Sequence, residues 1–199
     1  MPILASIETL EAELGKENEE VAVIKRNALR LMHLAEDILS LTKIAGGKIS
    51  LKREQFNLSP LLSDILKEER SKIATKNCQI VLKIADEIYV NADRDYISRI
   101  FLNLLDNAIK FTGRGGTISI SAEKTDNNVV VSISDSGPGI SPTVFPILFR
   151  QFVTTSYKGT GLGLYISKEL VEAHGGKIWA KNNAKYGNRG ATFAFSLPL

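Results

Sequence analysis

"GTISISAEKTDNNVVVSISDSGPGI", residues 116 to 140, is the stretch that decides the fold. Its two halves alternate strictly: Ile118, Ile120 and Ala122 share one face of the first run, and Val129, Val131 and Ile133 share one face of the second. A period of two with one apolar face marks a half-buried strand, and "TDNN" between the runs supplies turn residues, so the stretch predicts a hairpin. The second run ends in "DSGPG", residues 135 to 139, where a carboxylate precedes two glycines that permit close backbone approach. Taken alone, such an ending is also what a plain turn looks like.

Working outward, a helical period over residues 93 to 111 predicts a helix ending in "NLLDNAIKF". After the hairpin, residues 140 to 158 contain Pro142 and Pro146, lack alternation and read as a loop or lid with one short helix. "GTGLGL" then opens a helix over 162 to 174, and the runs "GKIWAKN" and "ATFAFSL" predict two closing strands in which Trp179, Phe193 and Phe195 read as core. Upstream, strands are expected at 49 to 54, 79 to 84 and 88 to 91, and a helix at 59 to 75. The fold class is therefore α+β: a two-layer sandwich of a mixed, antiparallel-rich sheet with helices on one face.

The first part of the chain has another character. Residues 3 to 14 place Ile3, Ile7, Leu10 and Leu14 on one stripe. Over 19 to 45, Val21, Ile24, Ala28, Leu31, Ala35, Ile38, Thr42 and Ala45 alternate by three and four like heptad a and d positions. Two such helices cannot bury their stripes against each other alone, whereas a four-helix bundle from two chains could, which predicts a homodimer. "AGGKI" breaks the pattern, so the domains are expected at 1–46, a truncated helical hairpin, and 47–199. His33 falls at f, opposite the seam, and is expected to be exposed.

Bulk properties narrow the function. The chain has 199 residues and a net charge of +3 from 25 basic and 22 acidic side chains, too even a balance to argue for nucleic acid. No run approaches the roughly 18 apolar residues of a membrane span. Cys78 stands alone, so there is no intrachain disulfide or cysteine zinc cluster, and it reads as a small buried hydrophobe. With no signal-peptide pattern, a cytoplasmic location is expected.

"NLLDNAIKF", "DSGPG" and "GTGLGL", in this order and setting, resemble the N, G1 and G2 boxes of the ATP-binding fold shared by sensor histidine kinases, Hsp90, DNA gyrase and the mismatch-repair ATPases. The resemblance covers about residues 55 to 199, adds "FRQF" as an F-box-like segment and "GATFAFSLP" as a closing strand, and is specifically to the kinase branch. It implies ATP and Mg2+ as cofactors. It makes Asn107 the magnesium residue, Asn103 its neighbour at the phosphates and Lys110 a cation near the phosphate chain. Asp135 would accept from the adenine amino group, with Gly137 and Gly139 against the base. Lys158, Gly159, Thr160, Gly161, Leu162 and Gly163 would form the phosphate lid, although Lys158 stands where many relatives have glycine. Side-chain amide oxygen suits magnesium, and free amides at a helix start suit phosphate. "HGGKI" is no P-loop, because Lys177 precedes isoleucine, and "GTGLG" lacks the dinucleotide spacing.

The helical part resembles the dimerisation and phosphotransfer hairpin of the same family. There the acceptor lies in a pattern like H-E-x-R-T-P, and "MPILASIE" resembles the sequence from that proline onward, which places the acceptor before Met1 and no catalytic residue within the fragment. His33 has Leu34 rather than a carboxylate after it. His174 precedes "GG" at a helix end, where it is expected to meet the last carbonyls. The implied function is the cytoplasmic kinase portion of a sensor whose parent could be membrane-anchored, transferring the γ-phosphoryl group to an upstream histidine for relay to a response regulator. The alternative is an ATP-binding dimerisation or regulatory module without transfer. An anti-sigma serine kinase would not need residues 3 to 45. A gyrase-like ATPase would need an N-box glutamate, where Asp106 and Leu102 stand instead.

Overall fold

A computed structural model describes residues 2–14, 18–47, 49–85, 87–154, 159–183 and 190–199, with the side chains of 2–4, 8, 30 and 33 outside that description. The chain forms two compact units, Met1–Lys48 and Ile49–Leu199.

The first unit is a pair of helices, α1 (Pro2–Leu14) and α2 (Glu19–Ala45). The start of α2 is set by Asn18, whose side chain accepts from the Glu20 and Val21 N–H groups, with two glutamates in the first turn to favour the dipole. Ile7 and Val21 are buried, and Lys25 pairs with Glu11 at 2.8 Å across the hairpin. Ile24, Leu31 and Ile38, three members of the predicted seam, are at least half exposed within the single chain. His33 lies on α2, but its side chain is outside the described residues.

The second unit runs β1 (Arg53–Asn57), α3 (Leu58–Glu68), α4 (Arg70–Thr75), β2 (Gln79–Ile84), β3 (Tyr89–Asp93), α5 (Arg94–Phe111), β4 (Thr117–Lys124) and β5 (Asn128–Asp135). A 3-10 turn at Phe145–Ile147 follows, then α6 (Gly163–Ala173), β6 (Ile178–Asn182) and β7 (Ala191–Pro198). Five strands form one sheet in the order β2-β4-β5-β7-β6, with β2 parallel to β4 and the other pairs antiparallel. The hairpin pairs as expected: Ile120 faces Ile133, which faces Phe193, and Ala122 faces Val131, which faces Phe195. These side chains form the sheet's inner face, and α5 packs on them through the fully buried Ile97, Ile100, Phe101, Leu104 and Leu105. Each such side chain contributes on the order of 1.5–3 kcal/mol by leaving water. The opposite face is lined with hydroxyls, for example Ser121 and Ser132, which bond each other at 2.7 Å.

Several expectations need correction. The first strand lies at 53–57 rather than 49–54, because it pairs antiparallel with β3 in a separate two-stranded sheet and takes its register from that partner. The helix expected over 59–75 breaks at Glu69, which turns out of helical geometry at φ −81°, ψ 1° and pairs with Lys72 at 2.7 Å. Trp179 is 37% exposed rather than core, because it stands opposite Ala194 and so alternates onto the hydroxyl-lined face. Cys78 is only half-buried, in the connection before β2.

α5 is anchored at both ends. Asp93, 6% exposed, caps it by accepting from the Tyr96 N–H at 3.1 Å through Oδ1 and from the Lys52 N–H at 2.8 Å through Oδ2. At the other end Lys76 Nζ donates to the carbonyls of Ile109, Lys110 and Thr112 at 2.6, 2.7 and 3.0 Å, a cation on the negative end of the dipole.

Candidate functional site

Three segments meet around α5. Asp135 closes β5 and is 6% exposed. Its Oδ1 accepts from the Gly137 N–H at 2.8 Å and from the Ala191 N–H at 3.4 Å. Burial pushes the carboxyl above its ordinary value, and these main-chain donors oppose the rise. Neither donor reaches Oδ2, the oxygen able to accept from a ligand N–H. A Cβ on Gly137 would stand 2.7 Å from both Asp135 Oδ1 and the Phe111 carbonyl oxygen, so glycine is what lets this loop close against the end of α5. Gly139 follows at φ +83°.

Asn103, Asn107 and Lys110 project from successive turns of α5. Asn103 Nδ2 donates to the buried Ser167 Oγ of α6 at 2.8 Å, and a Cβ on Gly163 would overlap Asn103 Oδ1. The N-box asparagine is thus wedged against the first residue of α6. Asn107 is half-buried and makes no hydrogen bond to another described residue through its side chain. Lys110 Nζ lies 4.9 Å from the Phe111 ring centroid, and desolvation lowers its pKa.

Of the predicted lid, Lys158 lies outside the described residues. Gly159 and Thr160 precede α6, and Thr160 Oγ1 accepts from the Leu162 N–H at 3.2 Å. Gly161 has φ +72°, and a Cβ there would stand 2.5 Å from the Phe152 carbonyl carbon, so it abuts the "FRQF" segment. Phe152 itself has φ +63° and is 68% exposed. Leu162, 3% exposed, anchors the lid's end in the core, and Gly163 begins a helix of 11 residues, long enough for its N-terminal amides and dipole to favour an anion.

Other residues at this site were not apparent in the sequence. Ser167, Asn182, Asn183 and Thr192 all bond to the motif segments or their flanks, across sequence separations of 42 to 64 residues. Serine in a helix and asparagines at a strand end carry no local signal for such a role. The groove of about 310 Å³ between α3 and β2 is lined by Ser59, Pro60, Ser63, Leu82, Ile84 and Ala85, none of them a motif residue. Among the described residues no three His, Cys, Asp or Glu side chains form a metal cage, and no helix is long and apolar enough to cross a membrane.

Residues 92–199 match the family described as Histidine kinase-, DNA gyrase B-, and HSP90-like ATPase. Sensor protein KdpD of Clostridium acetobutylicum is 38% identical over 175 residues, which are 84% of this chain and 19% of KdpD. The catalytic domain of histidine kinase ThkA, nucleotide-free, matches with a TM-score of 0.68 at 36% identity, over 74% of this chain and 95% of that one. ThkA in complex with response regulator protein TrrA matches with a TM-score of 0.73 at 28% identity, over 98% of this chain and 57% of that one. The chain belongs to the histidine kinase-, DNA gyrase B- and HSP90-like ATPase family, and its ATP-binding domain is of the sensor histidine kinase type. It spans less than half the length of curated relatives such as KdpD and the sensory kinase SasA of Synechococcus elongatus, 19% and 46% respectively.

Proposed function

We propose that this chain is the kinase portion of a sensor histidine kinase, binding ATP with magnesium and passing the γ-phosphoryl group to a histidine outside these 199 residues, for relay to a response regulator. The observation that carries this reading is the convergence of three motifs on α5: Gly163 on Asn103, Gly137 on the Phe111 carbonyl, and Asp135 beside them at the end of β5. In the transfer the bond from γ-phosphorus to the bridging oxygen breaks, a bond from phosphorus to an imidazole nitrogen forms, ADP leaves, and the imidazole proton passes to a base.

The domain contributes position and charge. Asp135 Oδ2 accepts from the adenine amino group and orients the base. The amides opening α6 and the Lys110 ammonium meet phosphate oxygens, and Lys110 keeps the electrostatic advantage of a partly desolvated cation. Magnesium neutralises phosphate charge when bound. Asn107, an oxygen donor not committed to another described residue, fits as its protein ligand.

Neither histidine of the chain suits the acceptor role. His174 is 1% exposed, with Nδ1 donating to the Leu170 carbonyl at 2.7 Å and Nε2 accepting from the Asp93 N–H at 3.0 Å. His33 precedes Leu34, which offers no carboxylate to receive the proton. The exposed Ile24, Leu31 and Ile38 support a homodimer through α1 and α2, and the response regulator bound by ThkA supports a receiver domain as partner. The site of action is the cytoplasm.

Incubating the chain with magnesium and γ-labelled ATP, with and without a longer fragment carrying the upstream segment, tests this. Acid-labile label is expected on the longer fragment only, and is expected to vanish with Asn107→Ala. Label on this chain that disappears with His33→Ala overturns the acceptor assignment. Tight ATP binding without transfer to any fragment would favour the regulatory-module reading.

A further inference from the structure

The "DSGPG" loop is gripped at both ends by two consecutive asparagines from the far edge of the sheet. Asn182 closes β6. Its Oδ1 accepts from the Ile140 N–H at 2.7 Å and its Nδ2 donates to the Ile140 carbonyl at 2.9 Å. One side-chain amide thereby pairs with both polar groups of a single residue, as a neighbouring strand would, at the point where the loop leaves Gly139. The approach is close, since a Cβ on Gly139 would meet Asn182 Oδ1 at 3.0 Å.

Asn183 holds the other end. Its Nδ2 donates to the Asp135 carbonyl at 3.1 Å and to Ser134 Oγ at 2.9 Å, and its Oδ1 accepts from Thr192 Oγ1 at 2.6 Å. The Ser134 and Thr192 hydroxyls lie 3.0 Å apart. The Thr192 hydroxyl is directed at both Asn183 Oδ1 and Ser134 Oγ, and its single proton serves one of them at a time. Because the Asp135 carbonyl can only accept, the Asn183 amide has one orientation here, and its contacts hold the backbone that carries the Asp135 side chain.

We propose that Asn182 and Asn183 are positioning residues for the nucleoside end of the nucleotide, holding Asp135 and Gly139 in the geometry that receives adenine. This rests on the reading of Asp135 as the acceptor for the adenine amino group. In this role both asparagines act by removing freedom from the loop before binding, so their loss appears as weaker affinity for adenine nucleotides.

ATP titrations of the nucleotide-free protein, of Asn183→Ala and of Asn182→Ala, each repeated in an Asp135→Asn background, test the proposal. Asn183→Ala is expected to weaken ATP binding about tenfold, equivalent to about 1.4 kcal/mol. Asn182, exposed and held by two hydrogen bonds, is expected to count for about threefold. Once Asp135→Asn has removed the group that Asn183 positions, Asn183→Ala should weaken binding no further. Inorganic tripolyphosphate, which has no base, should bind all variants alike. Equal ATP affinity in the single variants and the parent, with Asp135→Asn still damaging, overturns the positioning role and leaves the adenine reading intact. No effect of Asp135→Asn overturns the adenine reading itself. Should Asn183→Ala not fold, Asn183→Ser and Asn182→Ser give the same comparison, and undiminished ATP affinity in them has the same consequence.

Discussion

Gly163 stands so close to the side-chain oxygen of Asn103 that no other residue fits there without one of them moving. The contact joins the N-box helix α5 to the first residue of α6 and is backed by the hydrogen bond from Asn103 to Ser167. Gly163→Ala is therefore expected to destabilise the protein by about 1–3 kcal/mol, the range for forcing extra volume into a packed site. Pairing it with Asn103→Ala should recover much of that stability in urea melts without recovering ATP binding. A double variant no more stable than Gly163→Ala would show that the strain lies elsewhere.

Asp135 sets stability against binding. Its carboxyl is raised by burial above the ordinary 3.8, so the folded protein holds that proton more tightly than the unfolded chain does. The unfolding free energy then falls as pH rises from the ordinary value through the raised one. Asp135→Asn should lack this dependence and match or exceed the parent's stability at pH 7 while binding ATP more weakly. Chemical denaturation at pH 4 and pH 7 checks both halves, and a variant less stable than the parent at pH 7 would contradict them.

His174 titrates in the opposite sense. Its ring is buried as the neutral form between Leu170 and Asp93, and desolvation lowers its pKa from 6.5, helped by the Arg53 guanidinium and opposed by the Leu170 hydrogen bond and the Asp93 carboxylate. The unfolded chain binds the extra proton, so this stability is complete above pH 6.5 and is lost as pH falls below it, at no more than about 1.4 kcal/mol per pH unit. His174→Leu removes this slope and strands the Asp93 N–H, at a cost of about 1–3 kcal/mol at pH 7.5. Melts from pH 5 to 7.5 measure the difference.

Lys76 closes the C-terminal end of α5 on three carbonyls. Lys76→Met keeps the aliphatic stem and removes the cation, which should cost about 1–2 kcal/mol. It should also speed amide exchange in the last turn of α5 and at Thr112. Unchanged exchange there would mean the carbonyls find water as readily as the ammonium.

The main elements of the fold were legible because each is a local pattern repeated over several residues. Alternation in 117–124 and 128–135 gave the hairpin, and the helical period over 93–111 gave α5. Asn103, Asn107, Asp135 and the glycines could be picked out because three motifs in this order and setting resemble the N, G1 and G2 boxes, whereas each alone reads as a turn or a solvated helix residue. What failed depended on partners: β1 moved to match β3, and Trp179 turned outward opposite Ala194.

The sequence by itself determined the main elements and their apolar faces, since backbone geometry and burial are written in short-range spacing, and the resemblance of its motifs supplied the candidate nucleotide residues. Only tertiary structure decided that Gly163 meets Asn103, that His174 accepts from Asp93 N–H, and that Asn182 and Asn183 clasp the loop after β5. Those relationships join residues tens of positions apart through single hydrogen bonds or a missing Cβ. Such contacts follow from how the strands and helices assemble, and no periodicity in the chain announces them.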